Sequence, residues 1–150
     1  MKIFLMGLCL LLLLVSCDRQ QKPKMIFDNQ HHRLTQVTEK QWTLVNYWAP
    51  WCEGCLREIP QLNQLARSDK VRVLGVSFDE MSEADLNRFA QQIHIQYPVL
   101  LSDPQKAWHL PVPAVLPTSY LLDPQGHIQA TLVGPQTEES VLRAIYAKRT

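Results

Sequence analysis

Two cysteines three residues apart, in Trp51-Cys52-Glu53-Gly54-Cys55, are the residues of this chain best suited to chemistry. Thr43 to Tyr47 is a short β-prone run closed by Pro50, and helical periodicity begins near Cys52, so the pair falls where a strand gives way to a helix. Unpaired backbone N–H groups and the positive end of the helix dipole face a cysteine there, and both favour thiolate over thiol. Thiolate is the attacking species in disulfide exchange, and the spacing lets the second sulfur fold back on the first within one turn. Cys52 is therefore expected to be the exposed attacker and Cys55 the shielded resolver. Zinc sites use the same spacing but normally take four ligands, and no second cysteine pair follows. A Cu(I) site on the two soft thiolates is the competing reading from another class.

Glu58 lies three residues after Cys55, one helical turn on. A partly buried carboxylate there would raise nearby thiol pKa values by like-charge repulsion and would pass a proton during exchange. The bland alternative is a solvated surface glutamate near Arg57 and Arg67. Trp48 is read as partly core, whereas Trp51, beside Cys52, is expected to border a client groove. His31-His32 and Trp108-His109 invite a metal or haem reading, but adjacent strand residues face opposite sides and neither pair has a partner motif, so both are read as surface.

The other two cysteines are explained by the N-terminus. Lys2 precedes an uncharged apolar run from Ile3 to Val15, shorter than the roughly 20 residues of a membrane span and fitting an export signal. Leu14-Val15-Ser16-Cys17 resembles the lipobox of bacterial lipoproteins, which implies cleavage before Cys17 and a lipid on its sulfur. An uncleaved anchor, or an ordinary signal with a chance cysteine, is the alternative. Asp18 resembles an inner-membrane retention signal. Cys9 would leave with the signal, so only Cys52 and Cys55 remain, too close in sequence to staple distant segments. The expected organisation is a signal peptide at 1–16, a lipidated tether at 17–24 and one domain at 25–150.

The elements that must position the pair follow from periodicity. A small hairpin is expected from Met25 to Val37, turning at Asp28-Asn29-Gln30. The helix from Cys52 to about Ser68 would bury Leu56, Ile59, Leu62, Leu65 and Ala66, with a kink at Pro60. Val71 to Phe78 is the next strand. Ser82 to Asp85 has capping-box spacing, and its helix carries Leu86, Phe89, Ala90 and Ile93 on one face. Tyr97 to Leu101 reads as a strand and Gln105 to His109 as a brief helix. Ser119 to Leu122 and His127 to Val133 form a hairpin through Asp123-Pro124-Gln125-Gly126. Thr137 caps a final helix, with Lys148 and Arg149 near its end. Strands alternating with helices indicate an α/β, three-layer α/β/α domain.

Asn46-Tyr47-Trp48-Ala49-Pro50-Trp51-Cys52-Glu53-Gly54-Cys55 resembles the active-site segment of the TlpA/ResA-like branch of the thioredoxin superfamily, and Leu116-Pro117-Thr118-Ser119-Tyr120-Leu121-Leu122-Asp123 is similar to its cis-proline strand. The resemblance covers the chain from about residue 25, and residues 82–101 resemble the branch's inserted αβ segment. It implies a thioredoxin-like fold with a central mixed sheet and a redox-active Cys52–Cys55 disulfide. It also implies a cis bond at Pro117, client contacts at Trp51, Leu116, Pro117 and Thr118, and an acidic residue at Glu58 that adjusts cysteine ionisation. Asn46 stands where ordinary thioredoxins carry a buried aspartate, and Gly54 where many relatives carry proline.

The activity implied is reduction of exported protein disulfides, apocytochrome c among them, by a lipid-anchored monomer on the outer side of the inner membrane. Its electrons would come from a membrane thiol transporter of the DsbD or CcdA type. An oxidase or isomerase would use the same site. No cofactor is needed, because the sulfurs carry both electrons. Copper chaperones of related fold space their cysteines more widely and add a distal histidine. The formal charge of +1 argues against a nucleic-acid surface, and the five scattered glycines form no phosphate-binding loop.

Overall fold

The computed structural model describes residues 26–34 and 41–147; the expected signal peptide, the tether and Cys17 lie outside the described residues. The central strand is β3 (Thr43–Trp48), and all six of its residues are buried. It pairs in parallel with β4 (Arg72–Ser77) and antiparallel with β5 (Thr118–Leu122), and β6 (Ile128–Val133) continues antiparallel beyond β5. The order is β4-β3-β5-β6, a mixed sheet whose middle strand is covered on both faces, which is why it reads as a near-continuous apolar run.

Alternation along β3 sorts its side chains between two cores. Leu44 packs with Leu62 and Leu65 of α1 (Glu53–Arg67) and with Val141 and Ile145 of α4 (Glu138–Tyr146). Val45 and Tyr47 point the other way, to Tyr120 and Leu110, where Ala107 and Trp108 of α3 (Gln105–Trp108) close the layer. Helices thus lie on both faces of the sheet, in the thioredoxin-like three-layer arrangement. The N-terminal hairpin is present as β1 (Ile26–Phe27) and β2 (Arg33–Leu34), with His31 and His32 in its turn.

The expected strand at 97–101 is not a regular strand. It makes one parallel bridge, Gly75 to Val99, and one antiparallel bridge, Asp28 to Leu100. Gly75 N donates to Pro98 O and Leu100 N to Gly75 O, both at 2.8 Å, while Asn29 N donates to Val99 O at 2.8 Å on the opposite side. Pro98 has no N–H, so the ladder against β4 cannot lengthen through it. The segment therefore acts as a bolt between the sheet and the hairpin. Gly75 makes room for it: a Cβ there would stand 3.2 Å from Trp48 Nε1, 3.2 Å from Tyr97 Cε2 and 3.3 Å from Val99 Cγ2. All three side chains are buried and none is free to swing away. Gly75→Ala should cost about 1–2 kcal/mol by overpacking, outweighing the backbone entropy that alanine saves. Denaturant unfolding checks this, and an unchanged or raised midpoint would show that the bolt yields.

Helix α1 begins at Glu53 with Cys52 as its N-cap and runs unbroken through Pro60 to Arg67. Its buried stripe is Cys55, Glu58, Ile59, Leu62, Asn63 and Leu65. Leu56, expected on the apolar face, is exposed, and the stripe includes a buried glutamate, Glu58. Helix α2 (Glu83–Gln92) buries Leu86 and Ala90, with Phe89 and Ile93 partly buried beside them. Its capping box is half formed: Ser82 Oγ accepts from Asp85 N, but Asp85 Oδ2 accepts from the Ser82 hydroxyl rather than from its backbone N–H. In α4 the box is complete, between Thr137 and Ser140. Lys148 and Arg149 lie outside the described residues.

Candidate active site

Cys52 and Cys55 form a disulfide, with Cα atoms 5.2 Å apart. Pro50 cannot extend the sheet, so the chain leaves β3, turns at Ala49 (Cys52 N donates to Ala49 O, 3.1 Å) and enters the helix at Cys52. Cys52 holds the extended backbone of an N-cap, and its Sγ accepts from Cys55 N at 3.1 Å. A sulfur occupies the position usually held by a serine or aspartate oxygen, where helix N–H groups stabilise negative charge. Cys52 retains 6% exposure and Cys55 none. Glu53 is exposed and pairs with Arg57 at 2.6 Å, a solvated pair of small electrostatic weight at the sulfurs.

One turn below Cys55, Glu58 is 1% exposed, so the alternative of a solvated surface glutamate does not hold. Arg57 is held by Glu53, and Arg67 donates to Gln96 Oε1 across to the inserted segment, so the arginines flanking Glu58 in sequence have other partners. Glu58 Oε1 accepts from Asn46 Nδ2 and Oε2 accepts from the backbone N–H of Gln136, each at 2.7 Å. Asn46 also donates to Ser119 Oγ at 3.0 Å, and Tyr97 donates its hydroxyl proton to Asn46 Oδ1 at 3.5 Å. Burial pushes the Glu58 pKa up to about 7, against the lowering effect of the Gln136 and Asn46 hydrogen bonds. The carboxyl thus changes protonation near neutrality, on the same buried stripe of α1 as Cys55.

The Leu116–Pro117 bond is cis. Pro117 packs on the turn between the cysteines: a Cβ on Gly54 would lie 3.1 Å from Pro117 Cδ and 3.5 Å from Pro135 Cγ. Pro117 O accepts from Gly134 N at 2.9 Å. Thr118 is inside the sheet, opposite Tyr47 and Val133, and its hydroxyl donates to Val115 O. The Thr118 backbone is thus paired on both sides, whereas the Leu116 side chain is half-buried and its backbone N–H and C=O make no hydrogen bond to a described residue. Trp51 is 66% exposed, and its Nε1 donates to Asp79 Oδ2 at 2.7 Å, which fixes the indole at the rim. Asp79 in turn lines a cavity of about 550 Å3 between the end of β4, α2 and α3. Trp48 is fully buried beside the cysteines.

The histidines stay apart from this site. His31 meets Glu83 and His32 meets Asp28, while His109 is the exposed C-cap of α3. Among the described residues no three His, Cys, Asp or Glu side chains come together as a metal would need. The network around Glu58 was not legible in sequence. Gln136, which bonds Glu58 directly, and Tyr97 and Ser119, which reach it only through Asn46, come from three separate segments. The one available signal was an asparagine inside an otherwise apolar strand, since a buried amide must find partners.

A thioredoxin-like fold with a cysteine pair capping the helix that follows the central strand defines the class, a thioredoxin-fold dithiol–disulfide protein. The chain belongs to the AhpC/TSA family, whose profile matches residues 17–131. It is 26% identical over 117 residues to the thiol-disulfide oxidoreductase ResA of Geobacillus thermodenitrificans, covering 76% of this chain and 66% of that one. It is 28% identical over 109 residues to the sporulation thiol-disulfide oxidoreductase A of Bacillus subtilis, covering 67% and 64%. The chain thus spans slightly less than two thirds of these relatives' lengths. The crystal structure of StoA from Bacillus subtilis has the same fold, with a TM-score of 0.66 and 22% identity over 83% of this chain and 98% of that one.

Proposed function

We propose that this protein is a thiol–disulfide oxidoreductase that reduces disulfides of exported protein clients, anchored by a lipid on Cys17 to the outer side of a bacterial inner membrane. The observation that carries the catalytic part is a buried carboxyl, with a pKa raised to about 7, one helical turn below a helix-capping disulfide that adjoins a cis-proline edge. A client strand pairs with the free backbone of Leu116, with Trp51 beside it, and presents its disulfide to the reduced pair. Cys52 thiolate attacks one client sulfur and the other leaves as thiolate. Cys55 then gives its proton to the Glu58 carboxylate and attacks Cys52 Sγ. The second client sulfur departs and takes up a proton, so two electrons pass from the pair to the client and the Cys52–Cys55 bond forms. A membrane thiol transporter of the DsbD or CcdA type, suggested by the TlpA/ResA resemblance, would return both electrons. Apocytochrome c cysteines are among the clients that the resemblance suggests.

The reducing direction is supported by electrostatics. The helix N-terminus favours the Cys52 thiolate, but no basic side chain stands within the motif and Glu58 opposes a second negative charge nearby. A dithiol without an exceptionally stabilised thiolate is a reductant, so equilibration with glutathione buffers should give a potential below about −200 mV. A value near about −120 mV, that of a strong oxidant, would overturn the reducing direction. Anchoring is supported by the Leu14-Val15-Ser16-Cys17 sequence. Wild-type protein should take up labelled lipid and partition with membranes, and Cys17→Ser should do neither. Equal labelling of the two would exclude the anchor.

A further inference from the structure

We propose that the Gly134–Gln136 turn is a positioning element for proton transfer at this site, with the Gln136 backbone N–H holding the Glu58 carboxyl in register with the client-binding edge. The inference rests on the exchange reading above and adds to it a group outside both the cysteine motif and the cis-proline loop. One three-residue turn makes three contacts with the site. Gly134 N donates to Pro117 O at 2.9 Å, Pro135 lies against Gly54 between the cysteines, and Gln136 N donates to Glu58 Oε2 at 2.7 Å. Gly134 has φ +85°, a conformation L side chains rarely adopt, so the path of the turn depends on glycine. Its far end is fixed as well: Gln136 Nε2 donates to Gly134 O, and Gln136 Oε1 accepts from Ser140 Oγ in the first turn of α4.

The neighbours of Glu58 make this contact decisive. From β3 it faces Asn46, and Asn46 is itself bonded to Ser119 of β5, both neutral. From the segment after α2 comes Tyr97, whose pKa is raised by burial and by the nearby carboxylate, so it stays protonated. On its own helix, Cys55 lies one turn earlier on the same buried stripe. No charged partner of Glu58 is found among the described residues, so two neutral donors, Asn46 Nδ2 and Gln136 N–H, are what stabilise the carboxylate. Losing one of them must raise its proton affinity.

The test separates the backbone donor from the side chain. Gln136→Ala keeps the N–H and loses the side-chain contacts; Gln136→Pro loses the N–H. In the full-length protein, the pH profile for resolution of a Cys52–peptide mixed disulfide should move up by about one pH unit in Gln136→Pro and stay in place in Gln136→Ala. Equal shifts in both variants, or none in the proline variant, would overturn the proposal. A measurement that does not depend on the proline variant folding is the Gln136 amide proton resonance. It should titrate near pH 7 in wild type and stop doing so in Glu58→Gln, and an amide blind to pH in wild type would also overturn it. Because that titration needs no client, it distinguishes failure of this proposal from failure of the exchange reading, which would show as no reduction of any peptide disulfide.

Discussion

Replacing Cys55 by serine should turn the protein from a catalyst into a trap. With peptide disulfides, Cys55→Ser is expected to accumulate a mixed disulfide on Cys52 and to turn over no faster than the uncatalysed reaction, whereas Cys52→Ser should neither trap nor turn over. The asymmetry follows from position. Cys52 caps the helix and keeps some exposure, with its sulfur receiving the Cys55 N–H; Cys55 is fully buried in a core cluster that also holds Trp48, Ala49, Leu86 and Val99. A client sulfur can meet the first and not the second, and the helix N–H groups stabilise thiolate on the first. For the same reason iodoacetamide should alkylate Cys52 well before Cys55 in the reduced protein. Mass spectrometry of peptide adducts checks both statements. Adducts on Cys55 in Cys52→Ser, or faster alkylation of Cys55, would reverse the roles.

Glu58→Gln should make stability less dependent on pH. Burial raises this carboxyl from 4.5 to about 7 in the folded protein. Below 4.5 the group is protonated in both folded and unfolded states, and its contribution is fully present. As pH rises towards 7 the unfolded chain releases the proton first, so folding becomes progressively less favourable. By pH 8 the loss should reach about 3 kcal/mol relative to pH 4. Glutamine resembles the protonated acid in shape and charge and has no such slope. The stability of Glu58→Gln relative to wild type should therefore rise by that amount over the same range, measured by denaturant unfolding of the oxidised proteins. Parallel profiles would mean that Glu58 ionises as an exposed glutamate does. In the reduced protein the variant's cysteines should also form thiolate at lower pH, because a nearby negative charge has been removed.

The cysteine motif and much of the framework were legible in the sequence because they depend on local periods and punctuation. Cys52 at a helix start follows from a β-prone run, a proline and a 3.6-residue pattern, all within about two turns of chain. The turn at Asp123 to Gly126 and the Thr137 cap are likewise local. Where local pattern and tertiary context conflicted, the context prevailed. Leu56 is apolar and in helical phase, yet it is exposed, while Glu58 on the same helix is buried. Tyr97 to Leu101 has the composition of a strand, yet Pro98 and the hairpin on its other side reduce it to two bridges.

The sequence by itself determined which atoms can react: two thiols in register at a helix terminus, with a carboxyl one turn further along the same helix. Only the tertiary structure decided the state of that carboxyl. Its depth in the protein, and the donors that meet it from residues 12 and 78 positions away, set a proton affinity that no local pattern encodes. It also decided that Leu116 rather than Thr118 offers a free backbone, since β3 and β6 flank Thr118 on both sides. The physical reason is common to all of these. Periodicity records which face of an element turns inward, but desolvation and hydrogen-bond satisfaction depend on what arrives opposite that face from distant parts of the chain.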